Sequence, residues 1–371
     1  MKPLPQMRTI PLRRRSLFNA LFLLQHVPPL RPRLQPWRDA VRLRIADDLA
    51  RGGPGKLLPV TRVRGLRPAE FRRRYLATGT PVVLEGAAAG WPCVRDWSFD
   101  AFRRRHGSVR FKLVQQKGLA ETEAVDGREY SEEIEFGALL DQALNGGTKY
   151  LRFAPVLDAI PELVDDLDGA FLRAMQGRLS LGTTFEAFIG GADTFTPLHN
   201  EPTSFLFVNV CGVKRWRLIP NHYIAVLDPP ADGRGYNYSG GTAGRRDPVD
   251  LPGFGSIDQL EAVLEPGDIL FMPSWLWHST RNETPSIAVR CGMIDPLGVV
   301  TQSPLLFAIR AFGARNPSVL QVLYYTIVRK NVQARTQMLM QPRLHWKHGA
   351  RRRRAGAMPA PSGAAAERSR S

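Results

Sequence analysis

The chain is short of cysteine. It has three in 371 residues, Cys93, Cys211 and Cys291, far apart and odd in number. That excludes a disulfide framework, and with no CxxC pair there is no plausible zinc framework either. A reduced compartment, the cytoplasm, is the expectation. Lysine is scarce too, at eight residues against 43 arginines, so this sequence seldom chooses lysine where arginine would serve. No run of about 18 apolar residues occurs, so no transmembrane helix is expected. Acidic residues are nearly missing from both ends. Residues 1–75 hold 18 Lys/Arg against 4 Asp/Glu, and residues 329–371 hold 11 against 1, so the +17 net charge lies in the ends and the body between is mildly acidic. Basic ends of this kind suit RNA, DNA or an anionic membrane surface; the plainer reading is solvated arginine.

What is present divides the chain into four parts. Residues 1–58 form a basic N-terminal helix and arm. Within them, Arg13-Arg14-Arg15 followed by Ser16 to Leu24 has the outline of an export signal. Its apolar part is short, however, and His26-Val27-Pro28-Pro29 stands where a small-residue cleavage site belongs. The segment reads as a helix amphipathic enough to dock on the body, with membrane contact as the alternative. Prolines and Gly52-Gly53-Pro54-Gly55 make 28–59 a linker around a short helix near Trp37–Leu49. Residues 59–300 have the texture of a folded domain. Helix is expected from Arg67, over 131–144 and over 157–176, and strands predominate from Leu181 to Met293, joined by short Gly/Pro turns. Many short strands of this kind argue for a sandwich or barrel. Residues 301–340 form a helical extension whose apolar residues near Leu320 to Val328 offer a packing face or a homodimer face. Residues 341–371 form a basic tail expected to be disordered.

The chemistry gathers in Thr196–Trp216. His199 and Glu201, two residues apart, stand just before the apolar run Ser204–Cys211. On a strand, residues i and i+2 share a face, so both point into one cavity. Far downstream, Pro266-Gly267-Asp268 introduces a strand, and His278 follows in an aromatic setting. Two histidines and one carboxylate leave open positions on a non-haem Fe(II). Lys214 adds a separate clue. Alternation puts it on one face with Trp216 and Leu218, and a buried lysine needs an anionic partner. The other reading is that Lys214 points outward beside Arg215 and Arg217.

Three linked motifs then carry a resemblance. They are Thr196-Pro197-x-His199-x-Glu201, then Gly212-x-Lys214-Arg215-Trp216-x-Leu218-x-Pro220, then Pro266-Gly267-Asp268-x-Leu270-Phe271-x-Pro273-x-x-x-Trp277-His278. In this order they resemble the JmjC/cupin-like family of Fe(II)- and 2-oxoglutarate-dependent oxygenases, most similar to bacterial members near the asparaginyl and lysyl hydroxylase branch, over about residues 60–300. The resemblance implies a mainly β fold with flanking helices, a double-stranded β-helix or jelly roll. It implies that His199, Glu201 and His278 bind iron and that Lys214 and Thr196 hold the distal carboxylate of 2-oxoglutarate, with Tyr150 assisting. It implies oxidation of 2-oxoglutarate to succinate and CO2 coupled to hydroxylation of a C–H bond in a protein side chain, a nucleic acid or a small metabolite.

Three departures bear on that expectation. The carboxylate is Glu201 where aspartate is commoner in the hydroxylase branch. Phe205 stands where many relatives have an asparagine against the iron-bound end of the cosubstrate. Arg290 stands where relatives often have a Ser-Val-Asn-like strand; it supplies a second carboxylate anchor, points outward, or occludes the pocket. The alternative function is therefore a non-catalytic, metal-binding cupin-like protein with an altered cosubstrate pocket.

Overall fold

The apolar run Ser204–Cys211 forms a strand buried along nearly its whole length, and the fold is built around it. A computed structural model of the chain describes residues 7–115, 129–147, 150–154, 156–180, 182–231, 237–240, 250–293 and 295–313. The helix expected over 319–340, any dimer formed through it, and the tail after it lie outside the described residues.

In chain order the strands are β1 (Leu57–Pro59), β2 (Arg62–Val63), β3 (Val82–Leu84), β4 (Arg110–Gln115), β5 (Glu129–Glu135), β6 (Tyr150–Ala154), β7 (Thr183–Gly190) and β8 (Phe195–Asn200). Then come β9 (Ser204–Cys211), β10 (Lys214–Ile219), β11 (Asn237–Tyr238), β12 (Gln259–Leu264), β13 (Ile269–Met272), β14 (Trp277–Asn282) and β15 (Ser286–Met293). They make one sheet in the order β1-β12-β10-β14-β8-β11, a second in the order β2-β3-β13-β9-β15-β7-β6, and a separate β4-β5 pair. Apart from the parallel contacts β1-β12 and β2-β3, neighbours are antiparallel. The result is the expected jelly-roll sandwich with helices around it.

Strand alternation explains why β9 is apolar at almost every position. Phe205 and Phe207 pack between the sheets with Trp216, Leu218 and Leu260 of the opposite sheet. Leu206, Val208 and Val210 point the other way, into a core closed by helical segments that carry Phe71, Trp91, Phe136 and Met175. A strand covered on both faces loses the polar half of its pattern. In β10 one face is solvated instead. Lys214, Trp216 and Leu218 are buried while Arg215 and Arg217 are half-buried, and Arg215 pairs with Glu261 and Glu283.

Local structure departs from expectation in three places. The prolines of 28–59 suggest a linker, yet Arg31–Arg51 is one helix (α2) of 21 residues, packed against a preceding helix α1 (Leu12–Leu24). Pro32 lies in its first turn, where a missing N–H costs little. Val41, Ile45 and Leu49, each four apart, give α2 a buried stripe that joins Phe18 and Phe22 of α1 in the inter-sheet core. Residues 131–144 are not one helix: the acidic stretch lies in β5, and the helix covers only Phe136–Leu144. The register sets Glu135 opposite Arg110 and Glu133 opposite Lys112. The ladder with β4 outweighs glutamate's helix preference. Residues 157–176 are broken into a short helix Val156–Ala159, a turn Pro161–Asp166 and a helix Gly169–Met175. Pro161 opens the turn, and Asp168 caps the last piece through the amide of Phe171.

Candidate metal and cosubstrate site

One cavity between the sheets is lined by all seven residues singled out in the sequence: Tyr150, Thr196, His199, Glu201, Lys214, His278 and Arg290. They come from five strands and the loop after β8. The rest of its wall includes Phe188, Phe205, Phe207 and Trp216, so the polar groups converge in a largely apolar setting.

The antiparallel register of β8 and β14 places His199 and His278 directly opposite each other, with ring centroids 4.3 Å apart. Each imidazole is fixed in the same way. Nδ1 of His199 lies 2.8 Å from the carbonyl of Pro197, and Nδ1 of His278 lies 2.9 Å from the carbonyl of Leu276. A carbonyl can only accept, so each Nδ1 carries the proton and Nε2 is the basic nitrogen. Burial, with His199 beside it, pushes His278 well below the usual histidine range and keeps it neutral. The loop into β14 holds Trp275 at φ 63°, an unusual conformation for a bulky residue. The Trp275 amide donates to the Glu201 carbonyl at 2.7 Å, and its indole donates to the Val299 carbonyl at 2.7 Å. This loop therefore ties the carboxylate segment to the strand that carries His278.

Glu201 is engaged by its neighbours. Arg290 donates to it through Nη2 at 2.8 Å to Oε2 and through Nε at 3.2 Å to Oε1. The Thr203 hydroxyl donates to Oε2 at 3.1 Å and accepts from Arg290 at 2.5 Å. Arg290 also reaches Glu186 at 3.4 Å, its partner across the β7–β15 register, and lies over the Phe205 ring. Of the three readings open for Arg290, the geometry shows it turned inward and bound to the carboxylate two residues from His199. Burial pushes the Glu201 carboxyl up, against the pull of Arg290.

The donor set suits a divalent metal: two imidazoles whose Nδ1 atoms are tied back to carbonyls, and one carboxylate. Oε2 of Glu201 already receives two hydrogen bonds from Arg290 and Thr203 and Oε1 one, which leaves Oε1 an acceptor direction for a metal. Among the described residues, no three His, Cys, Asp or Glu side chains already stand gathered as a metal site.

At the other end of the cavity, Lys214 is 1% exposed. Its Nζ donates to the Tyr150 hydroxyl at 2.8 Å and to Oδ1 of Asn282 at 2.6 Å. Both partners are neutral, and among the described residues Lys214 makes no ion pair. Two nearby buried groups, Thr280 Oγ1 and Trp216 Nε1, find no hydrogen-bond partner among the described residues. Thr280 sits opposite Thr196 in the register, and Asn282 sits opposite Lys214. Sequence reasoning missed Thr280 and Asn282. The signal was there, since they stand two and four residues after His278 on the same strand. Glu186 and Thr203 were missed as well, and their part depends on contacts that no local pattern announces.

Residues 68–291 match the model of the family described as "Cupin-like domain". The chain is 28% identical over 219 residues to "Lysine-specific demethylase 8" of Xenopus tropicalis, covering 59% of this chain and 49% of that protein. It is 28% identical over 239 residues to "Lysine-specific demethylase JMJ30" of Arabidopsis thaliana, covering 61% and 52%. It is 27% identical over 249 residues to "Arginine-specific demethylase JMJ22" of the same plant, covering 62% and 45%. The chain thus spans about half the length of the curated relatives it matches. The segment matched to the family holds all seven cavity residues and begins after α1 and α2.

Proposed function

The chain belongs to the cupin-like domain family, and we propose that it is an Fe(II)- and 2-oxoglutarate-dependent oxygenase that hydroxylates a C–H bond of a protein side chain, with succinate and CO2 as co-products. The observation that carries this reading is Lys214: a fully buried ammonium held by two neutral oxygens, in the same cavity as the two imidazoles. A buried cation without an anion is costly. A dicarboxylate reaching from the imidazoles to Lys214 supplies that anion.

His199, Glu201 and His278 would hold the iron. Iron with 2-oxoglutarate would supply the oxidative chemistry with O2. The protein's own part is binding and exclusion. Lys214 would hold the distal carboxylate, with Tyr150 and Asn282 fixing its ammonium and Thr196 beside it. Thr280 and Trp216 offer two further donors. Phe188, Phe205 and Phe207 keep bulk water from the reacting end. Of the three substrate classes, a nucleic acid, a small metabolite or a protein side chain, the last is favoured by relatives named as lysine- and arginine-specific demethylases.

The second reading, a metal-binding protein without turnover, is favoured by the contact of Arg290 with Glu201. One experiment separates the two. Anaerobic protein is titrated with Fe(II) and 2-oxoglutarate, and the visible charge-transfer band of the chelate is followed. Oxygen is then admitted and succinate assayed. The oxygenase reading expects the band and succinate. It expects loss of both in His199→Ala, and 2-oxoglutarate binding about 10- to 100-fold weaker in Lys214→Met, the scale of a lost charge-assisted contact. Iron binding with no band at any 2-oxoglutarate concentration would give the lead to the second reading.

A further inference from the structure

Seven of the twelve large apolar side chains that are exposed among the described residues fall within residues 12–43. This part of the chain precedes the segment matched to the family. Helix α1 buries Phe18 and Phe22 against the body. Its outward side repeats at steps of three and four through Arg13, Leu17, Ala20 and Leu24, and continues to Val27 in the turn that follows. A helix with one face docked normally turns a polar face to water; here the second face is apolar as well. The turn itself exposes Pro28 and Pro29, and α2 then exposes Arg33 and Trp37, the latter 69% accessible. The charge around this surface is mostly positive: Asp48 pairs with Arg14 and Asp39 with Arg42, and the other arginines outnumber the acids. Residues 1–38 contain eight Lys/Arg and no Asp or Glu; the first acidic residue is Asp39.

We propose that the hairpin of α1 and α2 seats on the headgroup layer of an anionic lipid bilayer. Leucine, valine and tryptophan set among arginines that outnumber the acids is the composition of a helix that lies in the interface plane. Tryptophan favours the boundary between headgroups and chains, and arginine lays its stem along apolar surface while its head stays with phosphate. At 13 residues α1 is too short to span, and no helix among the described residues is long and apolar enough to cross. A second copy of this chain would bring the same positive charges face to face. A nucleic acid would meet the arginines but leave the leucines and Trp37 in water. The surface lies outside the jelly roll, so it adds a location to the activity proposed above without depending on it.

The test uses the full chain. Protein is sedimented with vesicles of phosphatidylcholine alone and with vesicles of about three parts phosphatidylcholine to one part phosphatidylglycerol. Binding is expected to the anionic vesicles, with Trp37 emission shifting to the blue; a Trp37→Phe variant should lack that shift. In Leu17→Ser/Leu24→Ser/Trp37→Ser, all three sites are exposed, so the thermal midpoint should stay at the wild-type value while vesicle binding falls at least tenfold. The proposal is overturned if wild type ignores anionic vesicles. It is also overturned if the triple variant binds them as wild type does, since the basic ends alone would then account for binding. A wild-type dimer that the triple variant converts to monomer would assign the face to a second copy and overturn it too. Iron and 2-oxoglutarate binding should be the same in the triple variant and wild type.

Discussion

Replacing Arg290 by methionine gives the sharpest test of the site's electrostatics. The substitution keeps volume and removes the guanidinium. Glu201 then loses two charge-assisted hydrogen bonds, and Thr203 and Glu186 lose a partner each. Breaking a buried ion pair from one side costs about 3–5 kcal/mol, because the remaining charge is left in a low dielectric. Here Glu201 has an exit. Burial already pushes its carboxyl up and Arg290 opposes the push, so losing Arg290 shifts the carboxyl further toward its protonated form. Neutralisation caps the loss, and a figure of about 3 kcal/mol is expected for the metal-free protein. At about 2–4 °C per kcal/mol for a domain of this size, the thermal midpoint should fall by roughly 6–12 °C. Two further results follow. Arg290 and a divalent metal are like charges that share Glu201, so Mn(II) should raise the midpoint of Arg290→Met by more than that of wild type. Removing both partners should be milder than removing one, so Arg290→Met/Glu201→Gln should recover a good part of the loss. The assay is urea denaturation and thermal unfolding of the three proteins, with and without Mn(II). The reasoning is refuted if Arg290→Met is as stable as wild type, or if the double variant is no more stable than the single one.

His222 and Asp268 give two independent predictions. Burial pushes His222 down to about 4, while its Nε2 donates to the carbonyl of Arg8 at 3.0 Å and its Nδ1 has no partner among the described residues. The unfolded chain, titrating near the ordinary value of about 6.5, binds the proton first as pH falls. Stability contributed by neutral His222 is therefore full above about pH 6.5 and is lost progressively down to about pH 4, up to about 3 kcal/mol. The difference in urea stability between wild type and His222→Asn should shrink across that window; a constant difference would contradict the account. Asp268 sits in the turn before β13 and accepts from Arg62 at 2.8 Å, the Gly86 amide at 2.9 Å and the Glu265 amide at 3.1 Å. Asp268→Ala removes all three bonds to a buried carboxylate, while the donors it leaves are on exposed residues, and should cost about 1–2 kcal/mol. Its Mn(II) affinity, measured below the unfolding transition, should match wild type; a large loss of affinity would mean that the turn tunes the site itself.

What the sequence makes legible is whatever rests on strand alternation and on turns. His199, Lys214 and His278 follow from period two and from the Pro-Gly-Asp turn, because a side chain on a strand has only two faces to choose from. By the same rule Thr280 and Asn282 are readable from His278. Helix α2 is legible over Trp37–Leu49, where Val41, Ile45 and Leu49 state its period, while the prolines ahead of Trp37 hide its start at Arg31. Strand β5 is hidden because glutamate's local preference opposes a pairing that only β4 supplies. Arg290 is the extreme case. Its residue type suits an anchor, a plug or a surface charge, and only the register with Glu186 and the approach of Glu201 decides between them. That decision changes how the cavity as a whole is understood. Two carboxylates, Glu186 and Glu201, stand beside two cations, Arg290 and Lys214, around the two imidazoles. A dication added alone would leave two uncompensated charges in a buried space, and a dicarboxylate added alone would do the same with the opposite sign. Added together they leave the balance unchanged. On electrostatic grounds the cavity therefore suits a metal with a dianionic ligand better than either by itself. It is Arg290 paired with Glu201, a contact the sequence does not announce, that offsets the carboxylate's charge within the cavity.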